Sequence, residues 1–160
     1  MTKLTKETIA ADWRKFNMAS SIGAWVGFVL GFAILGIMGA AVSMTVLIII
    51  LVLFVLIGIF LWRTLSARNR IAEQGDFIIF RSKVKSRLLQ NTKEGTLLCF
   101  QMDYEDYMLT LTGSQKSIEE EFDAAIEGIT EYYVVQIGGK ALRYPADKFE
   151  ADGELEVLGL

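Results

Sequence analysis

The longest hydrophobic stretch of the chain predicts a membrane-spanning helical hairpin. The 47 residues between Lys15 and Arg63 include no Asp, Glu, Lys or Arg. A helix crosses the roughly 30 Å hydrocarbon core of a bilayer with about 20 residues, so this stretch suits two spans. We place the spans at about 20–41 and 45–62. The short link Val42-Ser43-Met44 requires the two helices to be antiparallel and adjacent.

Polar helical segments are expected on both sides of this hairpin, which occupies 19–63. Ile9, Trp13 and Phe16 follow one helical face, which predicts an interfacial helix over 1–18 with its tryptophan at headgroup level. A cleaved signal peptide is the competing interpretation, but the apolar run is long for one and a second run follows at once. Residues 64–75 are expected to form a helical connector that ends at a glycine.

Shorter patterns predict a small antiparallel β domain over residues 76–160. Strand-like runs are FIIF (77–80), RSKVKSRLLQN (81–91), GTLLCFQM (95–102), YMLTLTG (107–113), QKSIEEEF (115–122), ITEYYVVQI (129–137) and KALRYP (140–145). DYED at 103–106 and the glycines at 138–139 suit hairpin turns, and the tail after Pro145 is expected to form a short helix. The predicted fold class is α+β, a two-helix transmembrane hairpin followed by about six or seven strands.

The charge distribution predicts the side of the membrane that each part occupies. Four Lys or Arg residues precede the first span, three follow the second closely, and the link between the spans carries none. Lys and Arg next to a span stay in the cytoplasm, so a two-pass protein of the cell (inner) membrane with both N- and C-termini cytoplasmic is expected. Residues 94–160 carry four basic and fifteen acidic side chains, which argues against nucleic acid as a partner.

Glycines recur every four residues in the first span and therefore share one helical face: Gly23, Gly27 and Gly31. Small residues let membrane helices approach closely. The second span is nearly all bulky, with Gly58 as its only small residue, so we expect the glycine face to pack against it within the hairpin. The alternatives are a homo-oligomer formed along this face and a pore, although neither span has a polar stripe to line one.

Basic residues in RSKVKSR form the main candidate for a binding surface. In a strand these side chains would all point to one face: Arg81, Lys83, Lys85 and Arg87. The alternating positions Phe80, Val84 and Leu88 are expected to face the core. Such a row would bind a partner protein or anionic lipid, where each basic residue contributes on the order of 1 kcal/mol. A solvated edge strand whose charges discourage aggregation is the alternative.

The sequence contains no motif for catalysis or metal binding. It has no histidine and a single cysteine, Cys99, whose apolar neighbours predict a core residue rather than a nucleophile. The acidic run SIEEEFDAAIEGITE lacks the spacing and central glycine of a calcium loop, so a solvated or partner-facing surface is expected there. We therefore expect no enzymatic activity, no metal site and no cofactor.

Residues 117–149 resemble the C-terminal domain of YcxB-like bacterial membrane proteins. The positions that carry the resemblance are Phe122, Asp123, Ile126, Ile129, Glu131, Tyr132-Tyr133, Gly138-Gly139, Leu142, Pro145 and Phe149. The order of parts is also similar, with two spans followed by a cytoplasmic β domain. The resemblance implies a small pleckstrin-homology-like barrel on a membrane hairpin and implies no particular activity.

These features predict a non-enzymatic inner-membrane protein whose cytoplasmic β domain contacts membrane lipids or an unidentified partner protein at the membrane surface. An immunity-type inhibitor is the alternative. In that case the glycine-rich span would bind the helix of a membrane-active toxin, and the acidic surface would dock a basic part of it.

Overall fold

The computed structural model describes residues 1–93 and 95–159, without the side chains at 19, 20 and 38–42. Leu160, the last residue of the predicted β domain, therefore lies outside the described residues. The elements in chain order are β1 (Thr2–Leu4), α1 (Lys6–Val42), α2 (Met44–Glu73), β2 (Ile78–Thr92), β3 (Gly95–Met102), β4 (Met108–Thr110), α3 (Gln115–Ala124), β5 (Glu131–Ile137), β6 (Lys140–Pro145), β7 (Phe149–Ala151) and β8 (Val157–Leu158). They form a helical unit, residues 10–74, and a β-rich unit, residues 1–9 with 75–160.

Two long apolar helices with a minimal link form the helical unit, as predicted. Ser43 alone separates α1 from α2, and both helices are long and apolar enough to cross a membrane. The Ser43 hydroxyl accepts a hydrogen bond from the backbone N–H of Val46 at 3.3 Å and so caps α2. The predicted helical connector is confirmed, because α2 continues to Glu73 and Gly75 follows with a φ of +77°, a conformation that favours glycine.

The N-terminal segment differs from the predicted interfacial helix over residues 1–18. β1 is a strand that pairs in parallel with β7, and α1 begins at Lys6 and continues without a break into the first span. The Thr5 hydroxyl accepts a hydrogen bond from the backbone N–H of Thr8 at 3.2 Å, which caps the helix. A capping side chain at this position explains why the strand ends and the helix begins here.

Polar side chains join α1 and α2 at the end of the helical unit that is distant from Ser43. The indole N–H of Trp13, a buried residue, donates to the carbonyl of Arg68 at 2.9 Å. The Arg68 guanidinium donates to the side-chain oxygen of the buried Asn17 at 2.5 Å, and Arg14 forms an ion pair with Glu73. These bonds fix the two helices against each other in one register.

The glycine face does not form the contact between α1 and α2. A Cβ built on any of its members would meet no atom of the described residues within 4 Å: Gly23, Gly27 and Gly31. Instead, the Phe54 ring of α2 stacks on Phe28 with centroids 4.7 Å apart and meets Phe32 at 4.1 Å. The expected packing of this face within the hairpin is therefore wrong, because aromatic rings on another face fill the space.

Gly58 is the small residue that this contact uses, since a Cβ built on it would lie 3.5 Å from the Phe28 ring. We expect Gly58→Leu to destabilise the hairpin by about 1–3 kcal/mol, because the added carbons overlap the ring. Gly27→Leu on the open face is the matched control and should change stability by less than about 0.5 kcal/mol. Tryptophan fluorescence during unfolding in SDS measures both, and equal losses would contradict the assigned contact.

The β-rich unit contains an open sheet of six strands in the order β4-β3-β2-β5-β6, with β8 paired to β2 off this path. The runs predicted at 77–80 and 81–91 form one continuous strand, β2. The hairpin of β5 and β6 is confirmed, and Gly138 and Gly139 in its turn both have positive φ. Because β4 and β6 lie at opposite edges, the described strands do not close into the expected barrel.

Two predicted segments adopt other conformations. QKSIEEEF, expected as a strand, lies in helix α3, which Ser114 caps by accepting a hydrogen bond from the backbone N–H of Ser117 at 3.4 Å. Ile118 and Phe122 lie four residues apart on α3 and pack against the core. The tail, expected as a helix, instead forms the short strands β7 and β8.

The core of the β-rich unit lies between the sheet and α3. Its buried members are Phe80, Val84, Phe100, Met102, Leu109, Leu111, Ala125, Tyr132 and Val134. Cys99 is also buried, as predicted, on the opposite side of β3 from its neighbour Phe100. Apolar side chains from β2, β3, β4, β5 and α3 therefore hold this unit together.

Candidate functional site

A β-bulge in β2 divides the predicted row of basic residues. Val84 lies opposite Met102 of β3, and Arg87 lies opposite Phe100, so three steps on β2 match two steps on β3. Met102 and Phe100 share the core face of β3, and opposed side chains point to the same face, so Arg87 turns to the core face. The expectation of one shared face is thus wrong for Arg87, and Leu88 turns away from the core for the same reason.

Arg87 holds the end of α3 in place. Its guanidinium lies 5.7 Å from the centroid of the Phe122 ring and donates to the Phe122 carbonyl at 3.3 Å. That carbonyl is among the last four of α3, which have no partner within the helix. The backbone N–H of Arg87 also donates to the Glu127 carboxylate at 3.0 Å, so this residue has a structural role.

The other three basic residues each meet a carboxylate. Two nitrogens of Arg81 donate to one oxygen of Glu131, at 2.9 and 2.5 Å, while the Lys83 ammonium lies 3.8 Å from the other oxygen. The Lys85 ammonium lies 2.5 Å from Asp106, a hydrogen bond that raises the pKa of the lysine and lowers that of the aspartate. The row is therefore charge-compensated rather than a free positive surface.

An open cavity of about 460 Å³ lies beside the first half of β2. Its lining combines both signs of charge with polar and aromatic groups: Arg81, Ser82, Lys83, Asp103, Tyr104, Glu131 and Gly159. Two of the predicted binding residues therefore lie in one concave site. Concave sites with convergent polar groups are the usual places for small ligands to bind.

The predicted DYED turn forms one wall of this cavity. The backbone N–H of Tyr104 donates to the Ser82 hydroxyl at 2.9 Å, and the Tyr104 ring stacks on Phe80 with centroids 4.6 Å apart. The backbone N–H of Asp103 donates to the Lys83 carbonyl at 3.0 Å. These contacts hold the turn against β2, where the charge of Asp103 contributes to the raised pKa of Lys85.

Gly159 forms the opposite wall, next to β8. It has a φ of +81°, and a Cβ built on it would lie 2.8 Å from the Arg81 carbonyl oxygen and 3.1 Å from the Tyr104 ring. Both the backbone conformation and the close approach favour glycine at this position. The tail predicted as a helix thus contributes to the site as an extended segment.

A second polar cluster, which no sequence pattern indicated, joins α3 to β6. Arg143 donates two bonds to Glu121, from Nε at 2.8 Å and from Nη2 at 2.7 Å, and a third to the Thr112 carbonyl at 3.1 Å. Burial acts to raise the pKa of Glu121, but the hydrogen bonds and charge of Arg143 outweigh it, so the pKa is lowered. Burial and the nearby Glu121 charge raise the pKa of Tyr132. Because its bonds join α3 to β6, we assign this cluster a structural role.

Comparisons of the chain with protein-family models, with curated proteins and with solved structures find no match. Within the part of the chain that the structure describes, no group of three or more His, Cys, Asp or Glu side chains is placed to hold a metal ion. The function must therefore be inferred from the cavity, the charges and the two apolar helices themselves.

Proposed function

We propose that this chain is a non-enzymatic, two-pass inner-membrane protein whose cytoplasmic β domain binds a ligand at the membrane surface. The apolar lengths of α1 and α2 support two spans, and the uncharged link at Ser43 between them suits the outer side. The basic residues that precede the first span and follow the second favour cytoplasmic N- and C-termini. The β-rich unit is the proposed cytoplasmic domain.

The cavity beside β2 is the observation that carries the binding function. Residues 76–160 contain nine Lys or Arg and sixteen Asp or Glu, so this region has a strong negative net charge. An anionic membrane repels such a region, and the basic row is already paired with carboxylates. Selective binding in the cavity, to a lipid headgroup or a partner protein, therefore explains the arrangement better than general adhesion to anionic lipid.

We also propose kinship with YcxB-like proteins and a pleckstrin-homology-like fold. The residues of the resemblance occupy suitable elements, with Tyr132 and Tyr133 on β5, two glycines in the β5–β6 turn and Pro145 at the end of β6. The long strand β2 pairs with β5 along its first part and with β3 along its second. A strand shared in this way between two partners supports a strongly bent sheet.

Thiol labelling tests the proposed orientation, because the only native cysteine, Cys99, is buried. With a membrane-impermeant maleimide, Ser43→Cys should react in intact spheroplasts and Glu154→Cys only after lysis. The wild type should stay unlabelled in both states and is the control. Labelling of Glu154→Cys in intact spheroplasts would contradict the orientation, and labelling of both positions only after lysis would contradict the two-pass arrangement.

Photocrosslinking in cells tests the binding function. A photoreactive residue in place of the exposed Glu105, on the turn that walls the cavity, should give a protein or lipid adduct. The same residue in place of the exposed Lys93, in the β2–β3 turn, is the matched control and should give none. Absence of adducts at both positions would contradict ligand binding by this unit.

The open glycine face favours a second candidate, the immunity-type inhibitor or a homo-oligomer. Gly23, Gly27 and Gly31 leave space along α1 that another membrane helix can enter. Under this alternative, Gly27→Leu should abolish a stoichiometric complex isolated from native membranes while the hairpin stays stable. An unchanged set of copurifying proteins would reject it.

A further inference from the structure

We infer that the cavity beside β2 binds a phosphoethanolamine group, a zwitterion that joins a phosphate to a primary ammonium. This inference rests on the proposed function and names the ligand class of the same cavity. Two residues of opposite charge, Lys83 and Asp103, line this cavity without forming an ion pair with each other. They match the two charged ends of such a ligand.

Lys83 provides the positive end of the site. Arg81 already forms two short hydrogen bonds with Glu131, and Lys83 lies 3.8 Å from the same carboxylate, so these three residues carry one excess positive charge. The Lys83 side chain is 50% exposed, and an ammonium has three donors. It is therefore the cation most available to a phosphate.

Asp103 provides the negative end. It is exposed, and although its charge acts on Lys85, no ion pair within 4 Å engages its carboxylate among the described residues. The hydrogen bond from its backbone N–H to the Lys83 carbonyl, 3.0 Å long, fixes the two residues next to each other. A primary ammonium donates strong, charge-assisted hydrogen bonds to a carboxylate, which a quaternary ammonium cannot do.

The size and charge of the cavity favour this ligand over an anionic one. Its volume of about 460 Å³ lies within the range of small-molecule sites and exceeds the needs of phosphoethanolamine alone. The lining residues that the structure describes carry two positive and two negative charges, so an electrically neutral zwitterion leaves their balance unchanged. A purely anionic headgroup would bind at Lys83 but would leave Asp103 without a partner of opposite charge.

The same chemistry has two sources, the headgroup of phosphatidylethanolamine and free glycerophosphoethanolamine, which are both phosphodiesters and therefore neutral zwitterions. The full-length protein in phosphatidylcholine nanodiscs is titrated by calorimetry with glycerophosphoethanolamine, because the monoester O-phosphoethanolamine is a net anion at neutral pH. We expect saturable binding that weakens at least about tenfold in both Lys83→Gln and Asp103→Asn, since each removes one charged contact. Lys93→Gln, an exposed lysine outside the cavity, is the matched control and should bind as the wild type does.

Related ligands and lipids complete the test. Glycerophosphocholine should bind more weakly than glycerophosphoethanolamine, and in mixed nanodiscs native mass spectrometry should find phosphatidylethanolamine retained over phosphatidylglycerol if the source is lipid. Binding of the soluble ester without lipid retention assigns the free ester instead. Equal binding of inorganic phosphate, no effect of Asp103→Asn, preference for phosphatidylglycerol or no binding by the wild type would overturn the inference.

Two controls distinguish a wrong ligand class from misfolding of the variants and from failure of the proposed function. Cys99 should remain unreactive in both cavity variants, which shows that the β-rich unit is folded. The orientation and photocrosslinking experiments test the proposed function whatever the chemical class of the ligand. A membrane-oriented protein with a crosslinked partner and no phosphoethanolamine binding would reject the ligand class alone.

Discussion

Phe100→Ala should destabilise the β-rich unit by about 3–5 kcal/mol. Phe100 is fully buried on β3, and its ring stacks on Phe122 of α3 and on Tyr132 of β5, with centroids 5.7 and 5.8 Å apart. Truncation removes contacts with both elements and leaves a cavity that the surrounding sheet cannot fill. Since whole domains are stable by only about 5–15 kcal/mol, a large part of the stability is lost.

Pulse proteolysis in urea measures this effect on the full-length protein in bicelles. Leu89→Ala is the control, because Leu89 lies on the same strand pair but is 63% exposed. This substitution should lower the free energy of unfolding by less than about 0.5 kcal/mol. A loss below about 1 kcal/mol for Phe100→Ala would mean that α3 does not pack on this ring.

Arg143→Met should destabilise the unit by about 2–3 kcal/mol, because it leaves the Glu121 carboxylate without its partner. The two side chains are only 14% and 24% exposed, so water replaces the lost bonds poorly. The double variant Glu121→Gln with Arg143→Met should recover much of the loss, since neither charge remains. Additive losses in this cycle would show that the pair is not coupled.

The same pair gives a stability that depends on pH. The folded-state pKa of Glu121 lies below its ordinary value of 4.5, so the unfolded chain binds more protons in acid. The contribution of the ionised Glu121 to the stability of the fold is therefore complete at neutral pH. It is lost as the pH falls below about 4.5 and through the lowered pKa. In Arg143→Met only the Tyr132 hydrogen bond and the Lys148 charge still oppose the effect of burial on Glu121, so this acid-side loss should shrink in urea titrations between pH 3 and pH 7.

The helices and the second hairpin could be predicted because their signals are local. The charge-free segment between Lys15 and Arg63 is long enough for two helices only, and Ser43 is well suited to cap the second. Tyr132 and Tyr133 precede two glycines in an apolar run, which is a strong hairpin pattern. These features depend on neighbours in sequence rather than on tertiary contacts.

The bulge in β2 could not be predicted, because RSKVKSR alternates without interruption in the sequence. Pairing with β3 takes up the extra residue near Lys85 and turns Arg87 to the core face. The carboxylate partners of the basic row could not be predicted either, since Glu131 is 50 residues from Arg81 and Asp106 is 21 residues from Lys85 in the sequence. The sequence therefore predicts a free row of basic residues, although tertiary contacts pair its members with carboxylates.

Helix α3 was predictable in principle. Ser114 is a strong capping residue, and Ile118 and Phe122 have the four-residue spacing of a helical face. Three consecutive glutamates are also good helix formers. The weak alternation that favoured a strand reflects the short length of the segment, which holds fewer than three helical turns.

The parallel pairing of β1 with β7 has a consequence for the order of events during synthesis. Leu4 lies opposite Ala151, so the first strand has no partner until almost the whole described chain has left the ribosome. At ordinary rates of translation this delay is roughly 10–30 s. The N-terminal segment must therefore remain soluble and unpaired while the two apolar helices form and pack. The β-rich unit is completed last, when β1 pairs with β7.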